Sequence, residues 1–322
     1  MNKMTEIPSL NKALDHEKLH ESITKNYSEI SKVYTTFLID WITSTFKAFN
    51  DSDKFHILLC IFKRNLNFYN DNLIKFNYDT FNKTNRFDIQ KINIVEIANN
   101  LNIPKETARR KILELEKQGV IKRRKKEIII DKNSFVLFDI LNTIKSLTNL
   151  LFKISNLCLK EKIILKNVSK EDIYNKMKKK FSYVMFHYFE FIIPWTTKWK
   201  SFFDNDTELF VIWSVIVLNK TVKIVKQHDE KLNISNWRAE IGQINTQGIN
   251  TMSLSEITGI PRPTVSRKIK KLLNRKLATI DESKLIHPEL AMYKKELASI
   301  HNSSVSTFSK FFVIIWNLLI FN

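Results

Sequence analysis

Residues 94–130 read IVEIANNLNIPKETARRKILELEKQGVIKRRKKEIII, and the spacing predicts a helix, a tight turn, a second helix and a basic two-stranded wing. Ile97, Ala98 and Leu101 make the buried face of the first helix, and the small Ala98 lets another helix cross closely. Asn102 breaks the periodicity, Ile103 plugs the turn into the core, and Pro104 starts the next helix, where a fixed φ helps and a missing N–H costs nothing. The second helix buries Ala108, Ile112 and Leu115. That leaves Lys105, Glu106, Arg109, Arg110 and Glu114 on the outer face, as a recognition helix offers side chains to a major groove. Gly119 ends it. Residues 120–122 and 127–130 are expected as short strands, with Arg123, Arg124, Lys125 and Lys126 at a tip suited to phosphate.

The pattern occurs twice. A shift of 157 positions without a gap lays MSLSEITGIPRPTVSRKIKKLLNRKLATI, which starts at Met252, over the first stretch. Leu254 falls on Ile97, Ile260 on Ile103, Pro261 on Pro104, Thr264 on Thr107, Val265 on Ala108, Arg267 on Arg110, Ile269 on Ile112 and Leu272 on Leu115. One such match arises readily by chance, whereas two in one register point to an internal duplication. An offset of 153 also lays Phe46 to Phe49 on Trp199 to Phe202, Asp51 on Asp204 and Asp53 on Asp206, so the repeating unit is expected to span about 155 residues.

With 322 residues, 43% of them hydrophobic, the chain is long enough for two or three domains with their own cores, and only 4 Gly and 6 Pro argue against a turn-rich β fold. The net charge of +19 suggests a polyanionic partner, although a chain so rich in Lys, Asn, Ile and Phe carries some of that charge through composition alone. Arginine discriminates better. Of ten arginines, Arg109, Arg110, Arg123, Arg124, Arg262, Arg267 and Arg275 lie in the two motif stretches, where even scatter gives about two. Cys60 and Cys158 are too few for a disulfide framework and fit a reduced cytoplasm; the first 22 residues lack an apolar signal core.

Elsewhere, residues 27–49 show a broad apolar stripe, and Phe55 to Phe62 is apolar almost all round, so a buried helix is expected there. Residues 66–93 and 219–250 look like polar connections with one short helix each, and Phe135 to Leu159 like an amphipathic helix. The aromatic cluster at 181–203 reads first as core or self-association surface, and second as a pocket for an apolar effector. The run FFVIIWNLLIF at 311–321 is shorter than the about 20 apolar residues a bilayer needs and contains Asn317, so it is expected to pack on its own repeat or a second subunit, with a C-terminal membrane anchor as the alternative. His16-Glu17-Lys18-Leu19-His20 matches the zinc-binding H-E-x-x-H pattern, but its polar flanks favour a solvated helical face in a mobile or loosely helical segment.

The motif resembles the DNA-binding domain of the Crp/Fnr transcription factors, whose recognition helix reads R-E-T-V-x-R; MarR-like winged helices share much of it. The corresponding residues are Lys105-Glu106-Thr107-Ala108-Arg109-Arg110 and Arg262-Pro263-Thr264-Val265-Ser266-Arg267. The resemblance implies base contacts from Lys105, Glu106, Arg110, Arg262 and Arg267. Pro263 stands where the family has its cytosine-reading Glu. The family's Gly-rich nucleotide-binding roll is absent upstream, since the first glycine is Gly119.

The sequence therefore predicts a mainly α protein: two tandem winged helix-turn-helix domains with small β wings, each preceded and followed by packed helices. The expected divisions are a polar segment at 1–26, a first repeat at 27–160 with its motif at 94–130, a second at 161–300 with its motif at 251–287, and an apolar helix at 301–322. The expected function is sequence-specific transcriptional regulation in the cytoplasm, with double-stranded DNA as partner, self-association through apolar helices, no membrane, no catalysis, no metal and no cofactor. DNA contacts are expected from Lys105, Glu106, Thr107, Arg109, Arg110, Arg123, Arg124, Lys125 and Lys126, and from Arg262, Thr264, Ser266, Arg267 and Lys270. The alternatives are a plasmid-type replication initiator, a zinc enzyme built on His16, Glu17 and His20, and a chain in which one copy has lost DNA binding and serves assembly.

Overall fold

The computed structural model describes residues 13–49, 51–71, 75–84, 86–89, 93–124, 127–131, 139–227, 231–243, 247–289 and 294–321. Its elements run α1 His16–Lys25, α2 Tyr27–Phe49, α3 Ser52–Asp71, α4 Tyr78–Lys83, β1 Arg86–Ile89, α5 Ile94–Leu101, α6 Lys105–Lys117, β2 Lys122–Arg124, β3 Glu127–Asp131 and α7 Ile140–Lys160. They continue with α8 Lys170–Lys179, α9 Phe181–Phe202, α10 Thr207–Gln227, α11 Ile234–Gln243, α12 Thr251–Thr258, α13 Arg262–Asn274, β4 Ala278–Ile280, β5 Ile286–Pro288 and α14 Lys294–Phe321. The chain is mainly helical, as its composition predicts. Among the described residues two small antiparallel sheets interrupt it: β1-β3-β2, with Ile130 opposite Phe87 and Lys122 opposite Ile129, and β4-β5, with Ala278 opposite Pro288.

The helices pack reciprocally. α2 lies on α10 and α9 on α3; α7 lies along α2 and α14 along α9; α1 docks on α14 and α8 on α7. Each long helix also reaches across to the other half: α2 meets α12, and α9 meets α5. Polar bonds cross the same boundary. Trp41 Nε1 donates to Thr196 Oγ1 at 3.4 Å, and Lys200 Nζ donates to Asp53 at 2.6 Å. Lys200 is buried, so Asp53 offsets the cost of removing its charge from water. One continuous apolar core results, running from Leu19 and Ile23 through Leu58, Phe62, Phe189 and Phe210 to Phe312 and Ile315. As expected, the α3 segment from Ile57 to Phe62 is buried on every side.

Several local expectations need correction. The N-terminal segment is not a solvated face: Asp15 caps α1, Leu19 and Ile23 are buried, and the helix packs on α14. His16 Nε2 lies 3.4 Å from the Ser306 carbonyl and His20 Nδ1 3.3 Å from Ser309 Oγ, so both rings face a helix. Among the described residues no group of three or more His, Cys, Asp or Glu side chains is placed to hold a metal ion. The first wing starts later than expected, which puts Arg123 and Arg124 in strand β2 instead of at the tip; Lys125 and Lys126 lie outside the described residues. α3 and α10 extend into the polar connections, which hold α4 and α11 and, in the first, the unforeseen strand β1. The helix expected from Phe135 is described from Ile140, while 132–138 fall outside.

α14 contains a stretch, Lys295–Ile320, that is long and apolar enough to cross a membrane, with mean hydropathy 1.4. Half of it is buried inside the protein, Phe308, Phe312, Ile315 and Trp316 among the buried residues, and the helix packs on α1 and α9.

Candidate nucleic-acid interface

The α5–α6 unit is held by local chemistry at every joint. Asn93 Oδ1 accepts the Val95 N–H at 3.0 Å and caps α5. Asn102 takes the left-handed conformation at φ 50, which turns the chain so that the Ile103 N–H reaches the Ala98 carbonyl at 3.0 Å. Pro104, at φ −58, precedes α6, whose Ala108, Ile112 and Leu115 are buried. Gly119, at φ 72, ends that helix, and the Val120 N–H returns to the Leu115 carbonyl at 3.0 Å, which aims the chain into β2.

The same joints recur 157 residues on. Asn250 caps α12 by accepting from the Ser253 N–H at 2.8 Å, and Gly259 at φ 73 makes the left-handed turn. Pro261 at φ −54 precedes α13, which buries Val265, Ile269 and Leu272. Lys276 at φ 52 occupies the position of Gly119, and the Leu277 N–H returns to the Leu272 carbonyl at 2.9 Å.

Outward from these frames, Lys105, Glu106, Arg109 and Arg110 are exposed on α6, and Arg262, Ser266, Arg267 and Lys270 on α13; Thr107 and Thr264 are half-buried beside them. Arg109 sits 3.7 Å from Glu106 and Arg110 3.9 Å from Glu114, long contacts on side chains that remain 63% and 67% exposed. Such surface pairs are weak, so both guanidinium groups remain available to an anion. Arg123 is held more firmly: its Nε donates to Glu116 at 2.8 Å, and that bond keeps the Glu116 carboxyl below the usual carboxylate range. Arg275 serves the fold, donating to Asp204 at 3.1 Å and to the Phe202 carbonyl at 2.8 Å while lying over the Phe202 and Phe203 rings.

Sequence reasoning missed the mount beneath each helix. Asp51 accepts from the Asp53 N–H at the start of α3 and is also bound by Lys111 of α6. Asp206 accepts from the Leu209 N–H at 3.1 Å at the start of α10, from Lys268 of α13 at 2.6 Å and from Lys271 at 3.2 Å. Burial alone would raise the Asp206 carboxyl, but the hydrogen bonds from Lys268, Leu209 and Lys271 outweigh it and hold that group below its ordinary value. Lys54 Nζ, 2.8 Å from Glu114, adds a second tie under α6. The available signal was a lysine at one position in both second helices, directed inward by the helical period.

Residues 88–125 match the DeoR-like helix-turn-helix domain family. No curated protein and no solved structure matches the chain. The match spans the end of β1, α5, α6 and β2, the elements whose joints are described above, and marks them as a DNA-binding helix-turn-helix of a kind found in regulators.

Proposed function

We propose that this chain is a sequence-specific transcriptional regulator of the cytoplasm that presents two non-identical winged helix-turn-helix units to double-stranded DNA, with α6 and α13 as the recognition helices. The observation that carries this reading is the recurrence, in one register, of the cap, left-handed turn, proline and return bond around α12 and α13. The reciprocal packing of the flanking helices supports it, since two such units related in this way imitate a homodimer within one polypeptide. Lys105, Glu106, Arg110, Arg262 and Arg267 are assigned to base edges, Arg109, Ser266 and Lys270 to the same grooves' margins, Thr107 and Thr264 to phosphate, and Arg123, Arg124, Lys125 and Lys126 to wing phosphates or the minor groove.

The two helices differ most where Glu106 of one corresponds to Pro263 of the other. A carboxylate accepts a hydrogen bond from cytosine N4, and proline offers nothing equivalent. The preferred site should accordingly be asymmetric. The test is selection of bound sequences from random DNA, repeated on a chain in which residues 105–110 and 262–267 are exchanged. Exchanged half-site preferences are expected; a palindromic site indifferent to residues 262–267 would remove α13 from the interface.

A further inference from the structure

A cavity of about 420 Å³ lies among α2, α9, α10, α11 and α14. Its walls are largely aromatic and aliphatic, including Tyr34, Trp195, Trp199, Phe210, Trp213 and Trp237. That volume suits a small organic molecule.

Polar groups in the wall set its character. Arg238 adds a cation to the wall, tied at one side to Asn302 Oδ1 at 2.8 Å and at the other to Ser235 Oγ at 3.3 Å. Glu289 also lines the cavity, within electrostatic reach of Lys220. Tyr27 Oη and His301 Nε2 satisfy each other at 2.7 Å. Arg238 is thus a wall cation tied to neutral partners, and an occupant carrying an acidic group fits it better than a cationic one.

We propose that this cavity binds an apolar carboxylic acid, with its hydrocarbon or aromatic body among the tryptophans and its carboxylate toward Arg238. Burial disfavours the charge of Arg238, and an arriving carboxylate relieves that penalty. The occupant would touch Trp213, Ser214 and Val217 of α10, the helix whose capping Asp206 holds Lys268 of α13. Binding would therefore bear on the mount of the second recognition helix; this coupling, unlike the site, rests on the DNA reading above.

The test titrates the full chain with decanoate and 2-naphthoate, read by tryptophan fluorescence and calorimetry, with 1-decanol and 2-naphthalenemethanol as uncharged controls. Saturable binding of one acid per chain is expected, about ten- to a hundredfold tighter than the matching alcohol. Arg238→Gln should remove that preference and leave alcohol binding unchanged. Val217→Trp, which fills the space, should abolish both while thermal unfolding and circular dichroism show the fold intact. Absence of saturable binding, equal affinity for acid and alcohol, or unchanged binding in a folded Val217→Trp chain would overturn the site. DNA affinity measured with and without saturating acid tests the coupling separately: a shift supports it, and bound acid with unchanged DNA affinity overturns the coupling while leaving the site standing.

Discussion

Lys268 of α13 donates to Asp206 at 2.6 Å, so the residue that caps α10 also anchors a recognition-type helix. Lys111 and Asp51 stand in the same relation under α6. Each carboxylate has two jobs, and removing it should cost more than removing its lysine. Lys268→Met is expected to lower stability by about 1 to 3 kcal/mol. Asp206→Ala should lower it by more, because a lost cap adds roughly 0.5 to 2 kcal/mol. Chemical denaturation of the two variants and their double mutant measures the coupling, and additive losses would refute the pairing.

Left-handed positions make a second prediction. Lys276, at φ 52, holds the conformation that Gly119 holds in the first unit at φ 72. A side chain there is strained by roughly 1 kcal/mol. Lys276→Gly should therefore raise the midpoint of thermal unfolding, while Gly119→Ala, whose Cβ would meet nothing within 4 Å and would suffer only backbone strain, should lower it.

The acid response should be set partly by His301, whose imidazole burial pushes down to about 3, with the nearby Arg238 charge acting in the same direction. Unfolded, the same group takes up a proton near its ordinary value of 6.5, so the unfolded chain binds more protons between those limits. The stability tied to neutral His301 is complete above about pH 6.5 and declines as the pH falls toward 3. His301→Gln should flatten the denaturation midpoint across that window. His187 and His20, also lowered by burial, leave part of the slope in place.

Both cysteines should be inert while the protein is folded. Cys60 and Cys158 are buried, and burial raises each thiol to about 12, so thiolate is scarce at neutral pH. Maleimide at pH 7.5 is expected to label neither residue until denaturant is added, with mass spectrometry as the readout.

Contacts to DNA should separate by kind. Arg110→Ala is expected to weaken binding to the selected site by about 1 to 3 kcal/mol with little effect on random DNA. Neutralising Lys125 and Lys126 should weaken both alike and reduce the salt dependence. Arg123→Ala should additionally loosen the wing, because Arg123 also holds Glu116. Equal losses on selected and random DNA for the Arg110 change would remove it from base recognition.

The frame of the first helix-turn-helix was legible because its determinants are local: Ile97, Ala98 and Leu101 repeat at helical spacing, and Pro104 and Gly119 punctuate the chain. What depends on distant partners was not. β1 is four residues, Arg86–Ile89, in an Asn-rich connection, and it becomes a strand by pairing with β3. α1 looked solvated because only Leu19 and Ile23 betray the face that α14 covers. The offset of 153 paired Asp51 with Asp204, whereas the capping residues are Asp51 and Asp206. The turn between α9 and α10 holds two more residues than the one between α2 and α3, and Asp204 and Asn205 take them up in left-handed conformations at φ 55 and 60. The wall of the cavity was half visible, since the tryptophans of α9 stood out while Trp237, Arg238 and His301 sit in polar stretches.

The docking of α1 on α14 sets an order for the birth of the fold on the ribosome. The Leu14 N–H bonds to Asn317 Oδ1 at 2.9 Å, a contact that spans 303 positions of chain. α14 is translated long after α1, so the part of α1's packing surface that α14 supplies does not exist when α1 emerges. At about 5 to 20 residues per second, the 303 positions between Leu14 and Asn317 take about 15 to 60 seconds to make, during which the α14 side of α1 is uncovered. α1 therefore completes its packing only after α14 has been made, however early the rest of the core forms.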